Sequence, residues 1–288
     1  MSEFNITVEG GSSVRLPTAG KYVDRDILIT AEGGSSGGGD TSMEDGLIEG
    51  TATEYTNNRV TKVGQYAFYG NSVLETVNLP NVTDTERSAF QNCTNLSSVS
   101  LPNLTKIGYA TFENCKNLAL TSLPSGMTNI GQNAFKDCKN LALTELPSGL
   151  KVIESYAFSG CANLALTSLP SGMMYINEGV FAACTNLALT ELPSGVKSIG
   201  YAAFVGCTSI TNIKIPSKVE NVYSAAFQNC TNLTTVTFEG KPTGYLFDDI
   251  FKGCTNLTTI NVPWAEGAVF FAPWGATNAT INYNYKGE

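Results

Sequence analysis

Eight cysteines are the residues of this chain with the widest chemical repertoire, because a thiol can form a disulfide, bind a metal or act as a nucleophile. They recur at nearly even spacing, at positions 93, 115, 138, 161, 184, 207, 230 and 254. No two of them form the Cys-x-x-Cys pair that is typical of structural zinc sites. The spacing predicts instead that each cysteine occupies the same place in a repeated unit.

Stacked repeats would align these cysteines in a column, about 4.8 Å apart if the repeats pair as parallel strands. A disulfide needs Cβ atoms about 3.8 Å apart and side chains that converge, whereas the side chains of a column point the same way. We therefore expect reduced, buried thiols that act as small apolar side chains.

The other residues give little support for catalysis. The chain has no histidine, which removes the usual general base at neutral pH and the commonest metal ligand. Asp248 and Asp249 are adjacent carboxylates, which we expect to face apart in a solvated loop. Segment 35–39 is glycine-rich, but it lacks the lysine and the helix of a phosphate-binding loop. We predict that the protein is not an enzyme and holds neither a metal nor a cofactor.

A second marker defines the elements around each cysteine. Nine phenylalanines recur 22–24 residues apart, and from the second onward each lies three residues before a cysteine. They are Phe68, Phe90, Phe112, Phe135, Phe158, Phe181, Phe204, Phe227 and Phe251. Self-similarity at this period predicts a solenoid of about nine repeats, in which each repeat contacts only its neighbours.

Each repeat contains two apolar stretches. The first has the form Leu-x-x-Val-x-Leu-Pro, as at residues 96–102, and the second is shorter, as at Val196-x-x-Ile199. We interpret both as short parallel β-strands joined by tight turns, the first ended by a proline that has no N–H to donate. The Phe-x-x-Cys segment is predicted to be a short helical turn.

Four central repeats, over residues 118–195, depart from this pattern. Their first stretch is Leu118-Ala-Leu120-Thr-Ser-Leu123-Pro or an equivalent, so the middle apolar residue lies one place earlier. A shift by one residue moves a side chain to the other face of a strand. We therefore expect the first strand to be bulged or irregular here, with a change in the curvature of the solenoid.

Two segments precede the repeats. Residues 1–32 contain three short runs of β-forming residues, at 6–8, 14–16 and 27–29, and predict a small β-rich module that is too short to be stable alone. Residues 33–43 predict a Gly/Ser-rich flexible linker.

The solenoid is assigned to residues 44–263, beginning with an N-terminal cap over 44–60. Residues 264–288 break the repeat and carry both tryptophans of the chain. They predict a C-terminal aromatic cap, which a solenoid needs to cover its last repeat.

The acidic composition limits the partners. A net charge of −8 argues against nucleic acid and anionic membranes as main partners. The chain has no run of 18 apolar residues and no signal-peptide pattern in its first 30 residues. We therefore expect cytoplasmic synthesis without membrane insertion.

Tyrosines near the repeated phenylalanines are candidate ligand contacts. The positions just before and just after each phenylalanine vary between repeats, so we expect them to be exposed. A tyrosine there offers an apolar ring and a polar tip to a sugar or a protein, although shielding of strand edges is an alternative role. The candidate contacts are Tyr109, Tyr156, Tyr175, Tyr201, Tyr223, Trp264 and Trp274, and for the two tryptophans packing within the cap is the favoured interpretation.

The pattern Ile-Gly-x-x-Ala-Phe-x-x-Cys-x-x-Leu, seen from Ile107 to Leu118 and from Ile199 to Ile210, resembles the BspA-type leucine-rich repeat over roughly residues 55–263. The resemblance implies a right-handed leucine-rich-repeat solenoid of the α/β horseshoe class, with mostly short parallel strands and short helical turns. It also implies a binding role, because members are typically adhesins or surface-binding proteins.

Residues 14–27 are similar to a module at the start of tail and baseplate-associated proteins of phages and prophages of gut Firmicutes, and residues 272–281 resemble the ending of phage-encoded repeat proteins. These similarities imply a component of the virion tail. Its N-terminal module would dock to tail structural proteins, and its repeats would bind a protein or glycan on a bacterial surface. A bacterial cell-surface adhesin that binds host proteins and a structural spacer are the alternatives, and homo-oligomerisation is left open.

Overall fold

The computed structural model describes residues 53–287, together with the backbone of two strands, β1 (Asn5–Thr7) and β2 (Ser13–Arg15). From residue 53 onward the chain winds into a solenoid of about ten turns, here called coils. Every helix or strand assigned in the described residues is a β-strand of two to four residues. Each complete coil contains a first strand or its irregular equivalent, in most coils a second strand, and a turn around the repeated phenylalanine, here called the phenylalanine turn.

The first strands form two separate parallel sheets. Three of them pair in the order β3-β5-β7 near the start, and four pair in the order β13-β15-β16-β17 near the end. Equivalent residues face each other in register, as in Val77 opposite Val99. The first strands are β3 (Glu54–Thr56), β5 (Thr76–Asn78), β7 (Ser98–Ser100), β13 (Asn212–Ile215), β15 (Thr235–Phe238), β16 (Thr259–Asn261) and β17 (Thr280–Asn282).

The second strands are shorter and run through almost every coil. They form a five-stranded sheet, β4-β6-β8-β9-β10, and a three-stranded sheet, β11-β12-β14. The final residue of each strand is buried, whereas the residue before it lies at or near the surface. The strands are β4 (Lys62–Val63), β6 (Asp84–Thr85), β8 (Lys106–Ile107), β9 (Asn129–Ile130), β10 (Val152–Ile153), β11 (Tyr175–Ile176), β12 (Ser198–Ile199) and β14 (Asn221–Val222).

The four central coils lack a regular first strand, which confirms the expected irregularity. Between Ser100 and Asn212 no first strand is assigned, although these residues are all described. Successive coils are joined there by a backbone bond from an alanine N–H, as from Ala142 to the carbonyl of Leu120 and from Ala165 to that of Leu143. Leu143 and Leu166 are fully buried. The one-residue shift thus keeps Leu143, Leu166 and Leu189 in the core and leaves Leu120 half-buried, but it disrupts the pairing of the first strands.

The phenylalanine turn is not helical, so that prediction was wrong. The residues two before and two after most of the phenylalanines have positive φ, as do Tyr156 (+58°) and Gly160 (+76°) around Phe158, whereas a right-handed helix needs negative φ throughout. The N–H groups alternate in direction. Those of Tyr156, Phe158 and Gly160 donate to the next coil, and those of Ala157, Ser159 and Cys161 donate within their own coil. A helix would use all of these donors internally, so the alternation frees every second N–H for the bonds that stack the coils.

Stacked phenylalanines form the centre of the core. The nine rings follow one another with centroids 4.8–5.9 Å apart and planes within 25° of parallel. All nine are at most 1 % exposed. Backbone bonds continue beside them without interruption, from the N–H of Phe68 to the carbonyl of Ala89 and onward to the N–H of Phe251.

The eight cysteines lie next to this stack as free, buried thiols, which confirms the predicted column. Each Sγ donates to the carbonyl oxygen of the phenylalanine in the preceding coil, at 2.9–3.1 Å. The same oxygen accepts an N–H from its own coil, so the Phe158 carbonyl is bonded by the Cys161 N–H and by the Cys184 thiol. The thiols therefore join adjacent coils without forming disulfides.

The variable residues that directly follow each phenylalanine are less exposed than expected. In the second to sixth coils, Ala182 is buried, Ala183 is exposed and the other eight are half-buried, namely residues 91, 92, 113, 114, 136, 137, 159 and 160. They contact the equivalent residues of adjacent coils, as in the bond from Gln91 Nε2 to Glu113 Oε2 at 2.7 Å. The residues at these two positions therefore vary between repeats although they are not fully exposed. Their side chains contact those of the adjacent coils, and these contacts limit their exposure.

Near the N-terminus, β1 and β2 pair antiparallel, with Ile6 opposite Val14. They coincide with two of the three strands predicted for the small module. The third predicted strand at 27–29, the linker at 33–43 and the first part of the predicted cap lie outside the described residues.

Candidate binding surface

Five of the seven candidate contacts lie along one edge of the solenoid. The chain leaves each second strand, turns outward over three or four residues and then enters the phenylalanine turn. Tyr175 is the exposed residue of β11, and the other four tyrosines lie in the outward turns of their own coils. We call the surface formed by Tyr109, Tyr156, Tyr175, Tyr201 and Tyr223 the tyrosine face.

The tyrosine face is open to solvent. Tyr175 and Tyr201 are 51 % and 52 % exposed, and Tyr109 and Tyr223 are 37 % and 40 % exposed. Tyr156 is half-buried. Four of the five rings therefore present substantial apolar surface together with a phenolic hydroxyl, a combination that is enriched at protein interfaces.

Tyr109 is held by residues of the same chain. The guanidinium carbon of Arg87 lies 4.6 Å from the centre of its ring, a cation–π contact. Its hydroxyl accepts a long bond of 3.4 Å from Asn133 Nδ2. One face of this ring is thus occupied, which makes Tyr109 the least available of the exposed members.

Tyr156 is the most constrained member of the face. Its φ of +58° places a bulky residue in the left-handed region, which costs an L-residue about 1–2 kcal/mol. Its ring lies against Gly179 in the next coil, where a Cβ atom would overlap Cε1 and Cδ1 of the ring. Its hydroxyl donates to Glu178 Oε1. This hydrogen bond, with partial burial, raises the pKa of Tyr156 to about 12, and Tyr201 is close enough to contribute.

Sequence reasoning missed further aromatic residues on the same edge. Phe247 stacks on Tyr223 with ring centroids 5.3 Å apart, and Tyr245, which is 72 % exposed, packs at a tilt against Phe247. Tyr156, Tyr175, Tyr201, Tyr223 and Tyr245 fall in five consecutive coils. An alignment of the repeats would have found Tyr245, because it occupies the coil position of Tyr175.

Two exposed phenylalanines extend this edge to the last coil. The N–H of Phe251 donates to the carbonyl of Trp274, the bond that earlier phenylalanines make to the residue before the next repeated phenylalanine. Phe271 therefore takes the coil position of Phe247 and Tyr223, each 24 residues apart. Phe270 and Phe271 are 84 % and 69 % exposed.

Trp264 and Trp274 are core residues, which agrees with the favoured interpretation of packing within the cap and removes them from the candidate ligand contacts. They are 5 % and 0 % exposed. Both pack on Phe238, and Trp274 also lies edge-on to Phe251, the last ring of the phenylalanine stack. Large aromatic side chains are needed there because the final coil has no further repeat to cover it.

The acidic pair after the second strand does not form a catalytic dyad. Asp248 is exposed, and Asp249 forms an ion pair with Lys252, with 3.3 Å between Oδ2 and Nζ. Within the described part of the chain, no three histidine, cysteine or acidic side chains come together in an arrangement that could hold a metal ion. Burial raises the pKa of most of the thiols, as at Cys161 and Cys184, which opposes formation of the nucleophilic thiolate.

The short parallel strands, stacked coils and continuous apolar core define a leucine-rich-repeat solenoid. Residues 52–165 and 151–266 match the BspA-type leucine-rich-repeat region, in six copies. The chain belongs to this family, and no enzyme family is indicated.

Solved structures of bacterial leucine-rich-repeat proteins share the fold. A leucine-rich repeat protein from Bacteroides ovatus is 23 % identical with a TM-score of 0.60, over 77 % of this chain and 64 % of that one. A leucine-rich repeat protein from T. pallidum is 32 % identical with a TM-score of 0.50, over 56 % of this chain and 79 % of that one. The chain thus spans less than two thirds of the Bacteroides protein.

No curated protein matches the chain in sequence. Among the residues that the structure describes, none form a helix long and apolar enough to cross a membrane.

Proposed function

We propose that the solenoid is an adhesion module that binds a component of a cell surface through the tyrosine face, without a chemical step. The observation that carries the proposal is the row of aromatic side chains in five consecutive coils, from Tyr156 to Tyr245. A row of this kind suits an extended ligand, because each coil adds one contact about 4.8 Å further along the axis.

Exposure favours binding over shielding as the role of this row. A tyrosine that shields a strand edge lies flat on the backbone, whereas Tyr175, Tyr201 and Tyr245 leave half or more of their surface in water. Burying one such ring in an interface would contribute about 1.5–3 kcal/mol. Several rings acting together supply enough free energy for specific adhesion.

Substitution of two tyrosines in adjacent coils of the row tests this proposal. The full-length protein with Tyr201→Ala and Tyr223→Ala should bind whole bacterial cells at least about tenfold more weakly than the unaltered protein in a flow-cytometry assay. The matched control is Tyr69→Ala, because Tyr69 is 40 % exposed but lies in the first coil, outside the face. Equal binding by all three proteins would contradict the proposal.

Within this role, we propose that the chain is a tail-associated receptor-binding protein of a phage or prophage. The similarity of residues 14–27 to tail and baseplate-associated modules supports this assignment, and the paired strands β1 and β2 fit a small β-rich docking unit. The N-terminal module would hold the chain on tail structural proteins, and the solenoid would meet the host surface.

Deletion of residues 1–32 separates docking from adhesion. Virions carrying the shortened chain should lack it, as judged by immunoblotting of purified particles, while the purified shortened protein still binds host cells. Retention of the shortened chain in particles would rule out docking through this module. Binding of the full-length protein to host extracellular proteins instead of bacteria would favour a cell-surface adhesin, and absence of any binding would favour a structural spacer.

A further inference from the structure

One cluster on the tyrosine face is held by more contacts between coils than the other tyrosines. Tyr156, Glu178 and Tyr201 belong to three consecutive coils, and the hydroxyl of Tyr156 donates to Glu178 Oε1. Tyr201 is close enough to Tyr156 to influence its ionisation. We infer that these three side chains form a recognition centre for a neutral sugar unit of a surface polysaccharide. The inference rests on the proposed adhesion function and names the ligand class.

The backbone at Tyr156 points to selection for the ring itself. The equivalent position has positive φ in seven other coils, where it is glycine, asparagine, alanine or serine except in the first coil, which carries Tyr66. Of these residue types, only glycine and asparagine adopt positive φ readily. A tyrosine gains nothing from this conformation. Its ring is nevertheless accommodated, because Gly179 leaves the space that any other side chain would fill. Strain of this kind persists where the surroundings hold a residue in a useful orientation.

Glu178 supplies a fixed hydrogen-bond acceptor beside the ring. Its Oε1 is held by Tyr156, and among the described residues its Oε2 accepts no bond and the carboxylate makes no ion pair. One carboxylate oxygen is therefore oriented and available to an incoming hydroxyl group. A hydrogen bond to an ionised acceptor is roughly twice as strong as one between neutral groups.

The residues around Tyr201 leave its ring exposed to solvent. Its neighbours in the chain are Gly200 and Ala202, and Tyr201 itself is 52 % exposed. The two tyrosines lie two coils apart, about 10 Å along the axis. An aromatic ring at each end with an acceptor between them matches a saccharide, whose C–H faces stack on rings and whose hydroxyl groups meet the carboxylate.

Charge decides between classes of glycan. A fixed carboxylate at the centre of the cluster, in a chain with a net charge of −8, repels phosphate-bearing and uronic-acid polymers. Neutral hexose and hexosamine units carry the hydroxyl donors that Glu178 needs without this repulsion. The chemistry thus favours neutral polysaccharides over anionic ones.

A glycan array tests the inference with the full-length protein. The array carries neutral hexose and N-acetylhexosamine oligosaccharides beside phosphate-bearing and uronic-acid counterparts. We expect binding to neutral members, with affinity at least about tenfold lower for Tyr156→Ala and for Tyr201→Ala. Glu178→Gln retains the shape but loses the charge, and we expect an intermediate loss.

Gly179→Ala provides a positional test, because it removes no functional group but displaces the Tyr156 ring. It should weaken binding about as much as Tyr156→Ala. Gly70→Ala is the matched control, since Gly70 also has positive φ (+71°) but a Cβ atom there would meet nothing within 4 Å. Circular dichroism and thermal unfolding of each variant show whether it is folded. Binding only to anionic members, no binding to any member, or indifference of folded Tyr156 and Gly179 variants would overturn the inference.

Periodate or protease treatment of whole cells distinguishes failure of the sugar inference from failure of the adhesion proposal. Periodate oxidises sugars and should abolish cell binding, whereas protease treatment should leave it intact. Binding that survives periodate but is lost after protease would keep the adhesion function and replace the glycan by a protein receptor. Absence of binding to any untreated cell would instead remove the adhesion function itself.

Discussion

At the scale of single residues, the cysteine column shows why a thiol suits its position. The phenylalanine carbonyl already accepts a backbone N–H from its own coil and has one lone pair left in an apolar setting. A thiol is a weak hydrogen-bond donor, and burying it costs little free energy. It can therefore bond that oxygen while packing as a small apolar group. In the first coil Asn71 replaces cysteine, and its side-chain oxygen accepts the N–H groups of Val73 and Leu74.

The thiols predict a loss of stability at alkaline pH. Burial raises the pKa of Cys138, Cys161, Cys184 and Cys207 above the ordinary value of 9.0. Since the unfolded chain loses these protons first, the stabilisation is complete below pH 9.0 and declines as the pH rises above it. Each thiol lowers the free energy of unfolding by up to about 1.4 kcal/mol per pH unit in this range. Urea unfolding between pH 8 and pH 11 measures the effect.

Cys161→Ser is the control for this pH dependence. Its hydroxyl can still donate to the Phe135 carbonyl, but it does not titrate, so the decline with pH should become shallower by the share of one thiol. Tyr156 adds to the decline in every variant, because its pKa rises from 10.0 to about 12 and its stabilisation is lost in the same direction. An unchanged slope in Cys161→Ser would show that burial of the thiols is not the cause.

Residue types and spacing predicted the free thiols and the exposure of Tyr109, Tyr175, Tyr201 and Tyr223. They did not predict the constraint on Tyr156, because its contacts with Glu178 and Gly179 arise only when successive coils are superimposed. They left Trp264 and Trp274 as candidate ligand contacts while favouring packing within the cap, since a large aromatic residue outside the repeat pattern is compatible with either cap or surface. Only packing against Phe238 distinguishes the two.

At the scale of elements, the change from regular to irregular first strands leaves a packing defect. A cavity of about 40 Å³ lies where β7 meets the first irregular coil, lined among others by Val99, Leu101, Phe112, Leu120 and Leu123. The shifted leucine of the irregular coil does not superimpose on the valine of the regular one. Side chains on either side of this junction therefore leave space that regular stacking would fill.

Val99→Ile should stabilise the solenoid by filling this defect. The substitution keeps a β-branched residue in β7 and adds one methylene group next to the cavity. Burial of a methylene contributes about 0.8 kcal/mol, and we expect a gain in the free energy of unfolding of up to that size. Chemical denaturation followed by circular dichroism measures it.

Val77→Ile is the matched control one coil earlier. Val77 pairs in register with Val99 but does not line the cavity, so the extra methylene must be forced into packed surroundings. It should be neutral or destabilising. A gain of equal size at both positions would attribute the effect to the propensity of isoleucine for strands and not to the cavity.

Sequence patterning predicted both strand types and the loss of the first strand in the central coils, because the alternation of apolar residues reports which side chains face the core. It failed at the phenylalanine turn. Spacing of Phe and Cys by three residues fits a helical turn equally well, and the pattern of apolar residues carries no information about the sign of φ at Tyr156 or Asn92. The bonds between coils select the non-helical conformation.

At the scale of the whole molecule, both kinds of strand form sheets that are interrupted along the axis, whereas the bonds of the phenylalanine turns run without a break. The first-strand sheets are absent between Ser100 and Asn212, and the second-strand sheets are interrupted between β10 and β11. The bonds of the phenylalanine turns cross both interruptions. The repeat period predicted from the sequence thus corresponds to the phenylalanine turns, whose backbone bonds and thiols join the coils across both interruptions.

The central coils contain identical copies of one sequence segment. Residues 117–126 and 163–172 are identical, and they are separated by 46 residues (163 − 117), which is two whole coils. Loss or gain of the 46 residues between these copies would remove or add two coils while keeping the thiols and phenylalanines in register. The exchanged segment contains Tyr156, so the same event would delete or duplicate the most constrained aromatic residue of the tyrosine face. If the solenoid is the adhesion module proposed above, such a change in the number of coils would alter its binding face without a point mutation.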